Sequence, residues 1–326
     1  MTALWHLSRP KLLPFVLLLV LCGYGLTHWD RGLVARGAPT LGLTLVAWAL
    51  LHAGTLWLNA AVDRDEGPVL YGKAVAPPPY AAAAGYAALA LCVLIAALAQ
   101  PAIGLAASLC SILAIAYSHP SALWKGHPTL GPLVNLVGYG LLSPLVGFLA
   151  VDVPPTWRLC FVWVTGGIGV MGAFFAAQAF QHDEDAARGY RTFVVTHGAV
   201  ACVRAARLCM GVGMAVGITL AAVGWVPRVC LVALPVALWV DAHFRTWLAV
   251  PGGGDVSHAR TLVLRLLAGA LIAITLCFGD YFWNDAHGLP VAGLGTAAGH
   301  PPDRPLLPPG AMRRWEAQNH GILIAR

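Results

Sequence analysis

Two short runs of this chain gather carboxylates, amides and bases in an order that can hold a metal ion and a phosphate. The first is Asn59-Ala-Ala-Val-Asp63-Arg64-Asp65-Glu66-Gly67-Pro68. Asn59 and Asp63, four apart, share one face of a helix, and Gly67-Pro68 then stops it. The second is Gln178-Ala-Phe-Gln181-His182-Asp183-Glu184-Asp185-Ala-Ala-Arg188-Gly189-Tyr190-Arg191-Thr192. Carboxylates from two helix ends, completed by water and phosphate oxygens, make a shell suited to Mg²⁺, an oxygen-seeking ion that rarely takes an all-protein cage. Arg188 and Arg191 offer forked donors to phosphate. Either run alone also fits an ordinary charged loop; two on the same side of one chain weaken that reading. In a third run, Tyr117-Ser118-His119-Pro120-Ser121-Ala122-Leu123-Trp124-Lys125, the lysine is either another phosphate cation or a snorkelling anchor. Tyr117 is either a site residue or a member of an interfacial aromatic belt.

The elements that position these runs are membrane spans. The 326 residues are 59% hydrophobic and only 10% charged, too little charge to cover a water-soluble fold of this size. About 20 apolar residues cross the hydrocarbon core. Nine segments qualify, at 11–28, 40–60, 80–99, 102–118, 130–151, 158–181, 201–225, 227–249 and 261–283. The third and fourth are parted only by Gln100 and Pro101 and form a tight helical hairpin. Arg9 and Lys11 before Leu12 to Leu26 imitate a signal peptide, but no small-x-small cleavage site follows, so this run is read as the first span.

The chemistry-bearing runs close the second, fourth and sixth spans and therefore share the side of the N-terminus. That side carries Arg9, Lys11, Arg64, Lys73, Lys125, Arg188, Arg191, Arg204, Arg207, Arg245, Arg260 and Arg265, whereas the opposite short loops carry only Arg31, Arg36, Arg158 and Arg228. The bias predicts an integral, multi-pass cell-membrane protein with the N-terminus and the motif loops cytoplasmic. Residues 284–326, rich in Gly and Pro, read as a mobile tail beyond a transmembrane domain of residues 1–283. The net charge of +6 is dispersed between apolar runs, with no aromatic-interleaved basic patch for nucleic acid. Eight cysteines lie in or beside apolar runs without a Cys-x-x-Cys pair and read as buried hydrophobes.

Nine spans, Asn-x-x-x-Asp-Arg-Asp after the second, Tyr-Ser-x-Pro with a following Lys after the fourth, and Asp-x-x-x-Gly-x-Arg-Thr after the sixth resemble the UbiA-type intramembrane prenyltransferases over roughly residues 10–283. The resemblance implies an all-α bundle around a central cavity open to lipid, in which two Asp-rich motifs hold Mg²⁺ and a prenyl diphosphate. Asn59 and Asp63 match the opening of the first motif, Asp185 the close of the second and Arg191 its base, with Tyr117 and Lys125 between them. It implies Asp63, Asp185, Lys125 and Tyr117 as catalytic residues. Asn59, Arg64, Lys73, Arg188 and Arg191 are the implied diphosphate ligands, and Asn59, Asp63, Asp65, Glu66, Asp183 and Asp185 the implied metal set.

Each motif departs at one position, with Gly67 and Gln181 standing where the family usually has an Asp. Asp65, Glu66 and Asp183 lie nearby, but a residue two positions along points about 200° around a helix, so they substitute only where the helix has unwound. The expected activity is transfer of a prenyl group from an isoprenoid diphosphate to an aromatic or other lipid-soluble acceptor, with no obligate protein partner. The alternatives are a member that binds or carries an isoprenoid or quinone without turnover, and a membrane terpene cyclase. A secondary transporter is disfavoured, because Asp241, His243, Arg245 and Asp280 fall near span ends and no inverted repeat is evident.

Overall fold

The computed structural model describes residues 2–31, 36–63, 70, 75–154 and 156–286. Arg64, Asp65, Glu66, Gly67 and Lys73 fall outside the described residues, as does the proposed tail from residue 287 onward. Among the described residues the fold is all-helical, and nine helical segments are long and apolar enough to cross a membrane. In such a solvent the helix is the natural solution, because each backbone N–H and C=O must find its partner within the segment.

A short helix α1 (Thr2–Leu7) precedes the first span, α2 (Leu13–Arg31). Next come α3 (Ala38–Asp63), α4 (Ala81–Ala99) and α5 (Pro101–Ser118). The α4–α5 hairpin is as tight as the sequence predicts: Gln100 is extended and its N–H bonds the Ala96 carbonyl at 3.0 Å. Proline at the first position of α5 has no N–H to leave unsatisfied. The fifth span differs from the uninterrupted helix expected over 130–151. It is α6 (Leu130–Asn135), a π-helical stretch (Leu136–Leu142) and α7 (Ser143–Leu149). Pro144 lacks the N–H that would continue the regular ladder, and just before it the Gly138 carbonyl accepts from the Ser143 N–H and also from the Ser143 hydroxyl, the latter at 2.9 Å.

The sixth span, α8 (Trp157–Gln178), starts on Thr156, whose hydroxyl accepts from Leu159 N–H. It ends at Gln178, not at 181, and the chain turns before two short helices, α9 (His182–Ala187) and α10 (Phe193–His197). α11 (Ala199–Ala222), a 3₁₀ turn (Arg228–Val232) leading into α12 (Ala233–Leu248), and α13 (Val256–Ala286) complete the bundle. The ninth span thus begins earlier than the expected 261.

Small residues let spans approach closely. A Cβ on Gly23 would collide with the Pro144 carbonyl, and one on Gly147 with that of Val20, so α2 and α7 pack backbone to backbone. One buried core joins α2 through α7 around Trp48, Val20 and Val146. Another joins α8, α11, α12 and α13 around Phe244, Trp247 and Val203. Charges near the membrane are neutralised locally, as at Asp241, which accepts from Arg207 Nε at 2.7 Å and from Arg245 Nε at 2.8 Å. Because spans alternate in direction, the ends of α3, α5 and α8 lie on the side of the N-terminus, and there the three motif runs meet.

Candidate active site

The last turn of α3 presents Asn59 and Asp63 on one face. Lys125 meets them from a 3₁₀ turn, Trp124–Gly126, that follows α5. Its Nζ lies 2.5 Å from Asp63 Oδ1 and donates to Asn59 Oδ1 at 3.0 Å. The buried Ser118 hydroxyl also donates to that amide oxygen, at 3.4 Å. Side-chain exposures of 5% for Lys125 and 8% for Asp63 decide between the two readings of the lysine: it turns inward to a carboxylate and does not reach outward as a snorkelling anchor. Leu123, just before the turn, has φ +48°, a left-handed conformation costly for a branched side chain and maintained here by the turn that delivers Lys125.

The second run approaches from the opposite wall. Asp185, in α9, is 7% exposed and accepts from the Thr192 hydroxyl at 2.8 Å. Burial pushes its carboxyl up to about 6, and the charges of Asp63 and Glu184 push the same way, against Thr192 and Arg188. Tyr190 links the runs: its hydroxyl donates to Asp63 Oδ1 at 2.9 Å and its N–H to the Asp185 carbonyl at 2.9 Å. Burial and the neighbouring Asp63 raise the Tyr190 phenol above its ordinary range. A backbone bond from Arg191 N–H to the Gly126 carbonyl, 2.8 Å, fastens this segment to the Lys125 turn.

Some proposed residues are not brought into the cluster. Asp183 is fully exposed and contacts His182 Nδ1 at 2.8 Å. Arg188 stands at the cluster's edge, where it forms an ion pair with Glu184 at 2.6 Å and its charge acts on Asp185. Arg191 contributes its backbone while its side chain is exposed.

Beneath these groups lies a cavity of about 310 Å³. Asn59, Tyr117, Gln178 and Gln181 line it at the motif end, and Val16, Cys110, Tyr139, Ser143 and Phe174 line it further in. Two polar side chains of its wall, Gln178 through Oε1 and His52 through both ring nitrogens, have no hydrogen-bond partner. The Ser8 and Arg9 backbone lies beside the His52 ring but outside hydrogen-bond geometry.

The available donors are oxygens: the Asn59 amide, the Asp63 and Asp185 carboxylates, and the unpartnered Gln178 Oε1. That chemistry fits Mg²⁺. Among the described residues no three His, Cys, Asp or Glu side chains converge into a cage; Mg²⁺ does not require one, because water and phosphate oxygens can complete its shell. Sequence reasoning assigns no role to Tyr190, Thr192, Gln178 or His52. The first three lie inside the second run, where the hydroxyls immediately either side of Arg191 were the available signal for Tyr190 and Thr192.

The sequence model of the UbiA prenyltransferase family matches residues 11–262. The chain belongs to that family. No curated protein matches it in sequence. Among solved structures, a UbiA homologue from Archaeoglobus fulgidus bound to GPP and Mg²⁺ superposes with a TM-score of 0.63 at 14% identity, covering 84% of this chain and 99% of the homologue. The same homologue bound to DMAPP and Mg²⁺ gives 0.56 at 15%, covering 84% and 99%. A structure of digeranylgeranylglyceryl phosphate synthase gives 0.57 at 12%, covering 84% of this chain and 100% of that one. At such identities the likeness is one of fold. The UbiA bundle expected from the motifs is the bundle observed.

Proposed function

We propose that this chain catalyses Mg²⁺-dependent transfer of a prenyl group from an isoprenoid diphosphate to a lipid-soluble acceptor, at the cytoplasmic end of the bundle. The observation that carries the reading is the convergence of Asn59, Asp63, Lys125 and Asp185, from three separate segments, beside a largely apolar cavity that Asn59 lines. Homologues with this fold bind GPP or DMAPP together with Mg²⁺, which supports the same ligand class here.

Asn59, Asp63, Asp185 and Gln178 would hold the metal, with Asp65 and Glu66 following Asp63 in the same run and Asp183 at the solvent edge. When bound, Mg²⁺ supplies positive charge that stabilises the departing diphosphate. Lys125 adds a second positive charge that can pass from Asp63 to a phosphate oxygen, while Arg188 and Arg191 offer donors at the rim and the sequence supplies Arg64 and Lys73 as further candidate cations. Ionisation breaks the bond between C1 and oxygen, and the electron pair leaves with the diphosphate. Tyr117, which lines the cavity, would offer aromatic surface to the allylic cation. The apolar walls exclude water that would otherwise capture it, so the acceptor's electron pair forms the new bond to C1 and the acceptor loses a proton.

The test uses purified protein in detergent, Mg²⁺ and labelled prenyl diphosphates. Asp63→Asn and Asp185→Asn are each expected to slow pyrophosphate release by about 100-fold or more. Release that survives both substitutions counts against this site. Saturable donor binding without release with any acceptor would identify a carrier.

A further inference from the structure

Local neutralisation at Asp241 is incomplete. Its two oxygens accept from Arg207 Nε of α11 at 2.7 Å and from Arg245 Nε of α12 at 2.8 Å, so one negative charge holds two positive ones. Each arginine bonds through Nε, and among the described residues the terminal nitrogens of both forks bond no other side chain. Because both Nε atoms reach one carboxylate, the guanidiniums stand within about 8 Å of each other, a gap that one phosphate bridges with hydrogen bonds of ordinary length. Arg204, exposed and three residues before Arg207 on α11, adds a third cation on the neighbouring turn. Away from the motif end, the surface below these cations is apolar. Arg204 continues at spacings of four into exposed Leu208 and Val212, and Arg245 shares a helix face with exposed Leu238 and Leu234. At 1.5 Å per residue, Arg204 and Arg207 lie about 8 and 12 Å inside α11, a depth from which long side chains reach the headgroup layer.

We propose that Arg204, Arg207 and Arg245 bind the phosphate of an anionic phospholipid whose acyl chains lie along the apolar stripes of α11 and α12. The order along both helices, cation first and apolar surface beneath it, is the order of groups within such a lipid. Charge sets the class of headgroup, since three arginines against one carboxylate leave positive charge unanswered, and a zwitterionic headgroup brings a cation of its own. The flank is open to lipid: α11 and α12 bury 22% and 17% of their spanning stretches, against 33% to 44% in the first six spans. A second copy packed here about a twofold axis would set the same arginines face to face, whereas a lipid phosphate brings the opposite sign. Asp241 then does more than neutralise. It presets two guanidiniums for the phosphate, so less side-chain order has to be imposed on binding. None of these residues lines the cavity, and the site does not depend on the donor reading.

Full-length protein in a non-ionic detergent is titrated with phosphatidylglycerol, phosphatidylcholine and inorganic phosphate, with bound lipid and oligomeric state read by native mass spectrometry. Wild type is expected to bind phosphatidylglycerol at least about tenfold more tightly than phosphatidylcholine, in an adduct that excess phosphate does not displace. Arg204→Gln and Arg245→Gln leave the Arg207–Asp241 pair in place. Each should weaken phosphatidylglycerol about fivefold, and the two together about 25-fold, with phosphatidylcholine unmoved. Arg158→Gln, at the opposite end of the bundle, should change neither affinity. If the double variant does not fold, the two single variants decide. Equal affinity for both lipids, or an affinity for phosphatidylglycerol that neither substitution moves, overturns the site. So does displacement of the lipid by free phosphate, which would make this a phosphate site, or a dimer that Arg245→Gln dissociates, which would make it an interface between copies.

Discussion

Asp63, in the opening of the first motif, and Asp185, at the close of the second, are comparably shielded, yet they are compensated in different ways. Asp63 has an internal cation at 2.5 Å and a tyrosine hydroxyl at 2.9 Å. Asp185 has a threonine hydroxyl at 2.8 Å, and its carboxyl is pushed up to about 6. A buried carboxylate with its own counter-ion is set before any ligand arrives. One without a counter-ion takes a proton or waits for a cation from outside. On the proposed function, Asp185 would depend on the incoming metal for its charge compensation, whereas Asp63, which would share that metal, would also answer to the diphosphate through Lys125.

The largest effect should follow from breaking the preset pair. Asp63→Ala leaves Lys125 buried without its carboxylate, expected to cost about 3–5 kcal/mol in stability and to abolish pyrophosphate release. The double variant Asp63→Ala/Lys125→Met should recover most of the lost stability, read as detergent-resolved thermal unfolding, while remaining inactive. If the single and double variants unfold alike, the pair contributes little and the asymmetry disappears.

An intermediate effect concerns pH. Because the Asp185 carboxyl is raised, it sheds its proton only as pH climbs through about 6. Mg²⁺ needs the ionised form, so apparent Mg²⁺ affinity should fall about tenfold per pH unit below that point and level off above it. In Asp185→Asn that limb should vanish. A limb at the ordinary carboxylate range in wild type would contradict the burial argument. The smallest effect belongs to Tyr190→Phe, which removes one hydroxyl from Asp63 and leaves the backbone latch intact. It should cost about 1 kcal/mol and slow release only a few-fold.

Much of this arrangement was readable from residue order, and the reasons differ by feature. The spans were plain because lipid demands long apolar runs, and Asn59 and Asp63 because a four-residue spacing puts them on one helix face. The short sixth span was not, since Ala179 and Phe180 continue the apolar run past Gln178, and the turn there is closed by the Gln181 N–H to the Gln178 carbonyl at 2.9 Å. Lys125 could be read as anchor or ligand until its distance to Asp63 was known. The hydrogen bond from Trp48 Nε1 to Ser143 Oγ joins residues 95 apart, a pairing that no local pattern encodes. The π-helical stretch escaped for the related reason that its apolar composition matches an ordinary helix.

The joint between Arg191 N–H and the Gly126 carbonyl is made of main chain alone. A library that randomises position 191 should therefore retain the fold in nearly every clone, because any residue except proline supplies the N–H. Position 126 has less latitude, since a Cβ there would approach the Tyr190 ring to 3.3 Å and the ring would have to give by a few tenths of an ångström. The loop that carries the chemistry can thus be rewritten more freely from one side of the joint than from the other, an asymmetry useful to anyone engineering the rim for a new acceptor.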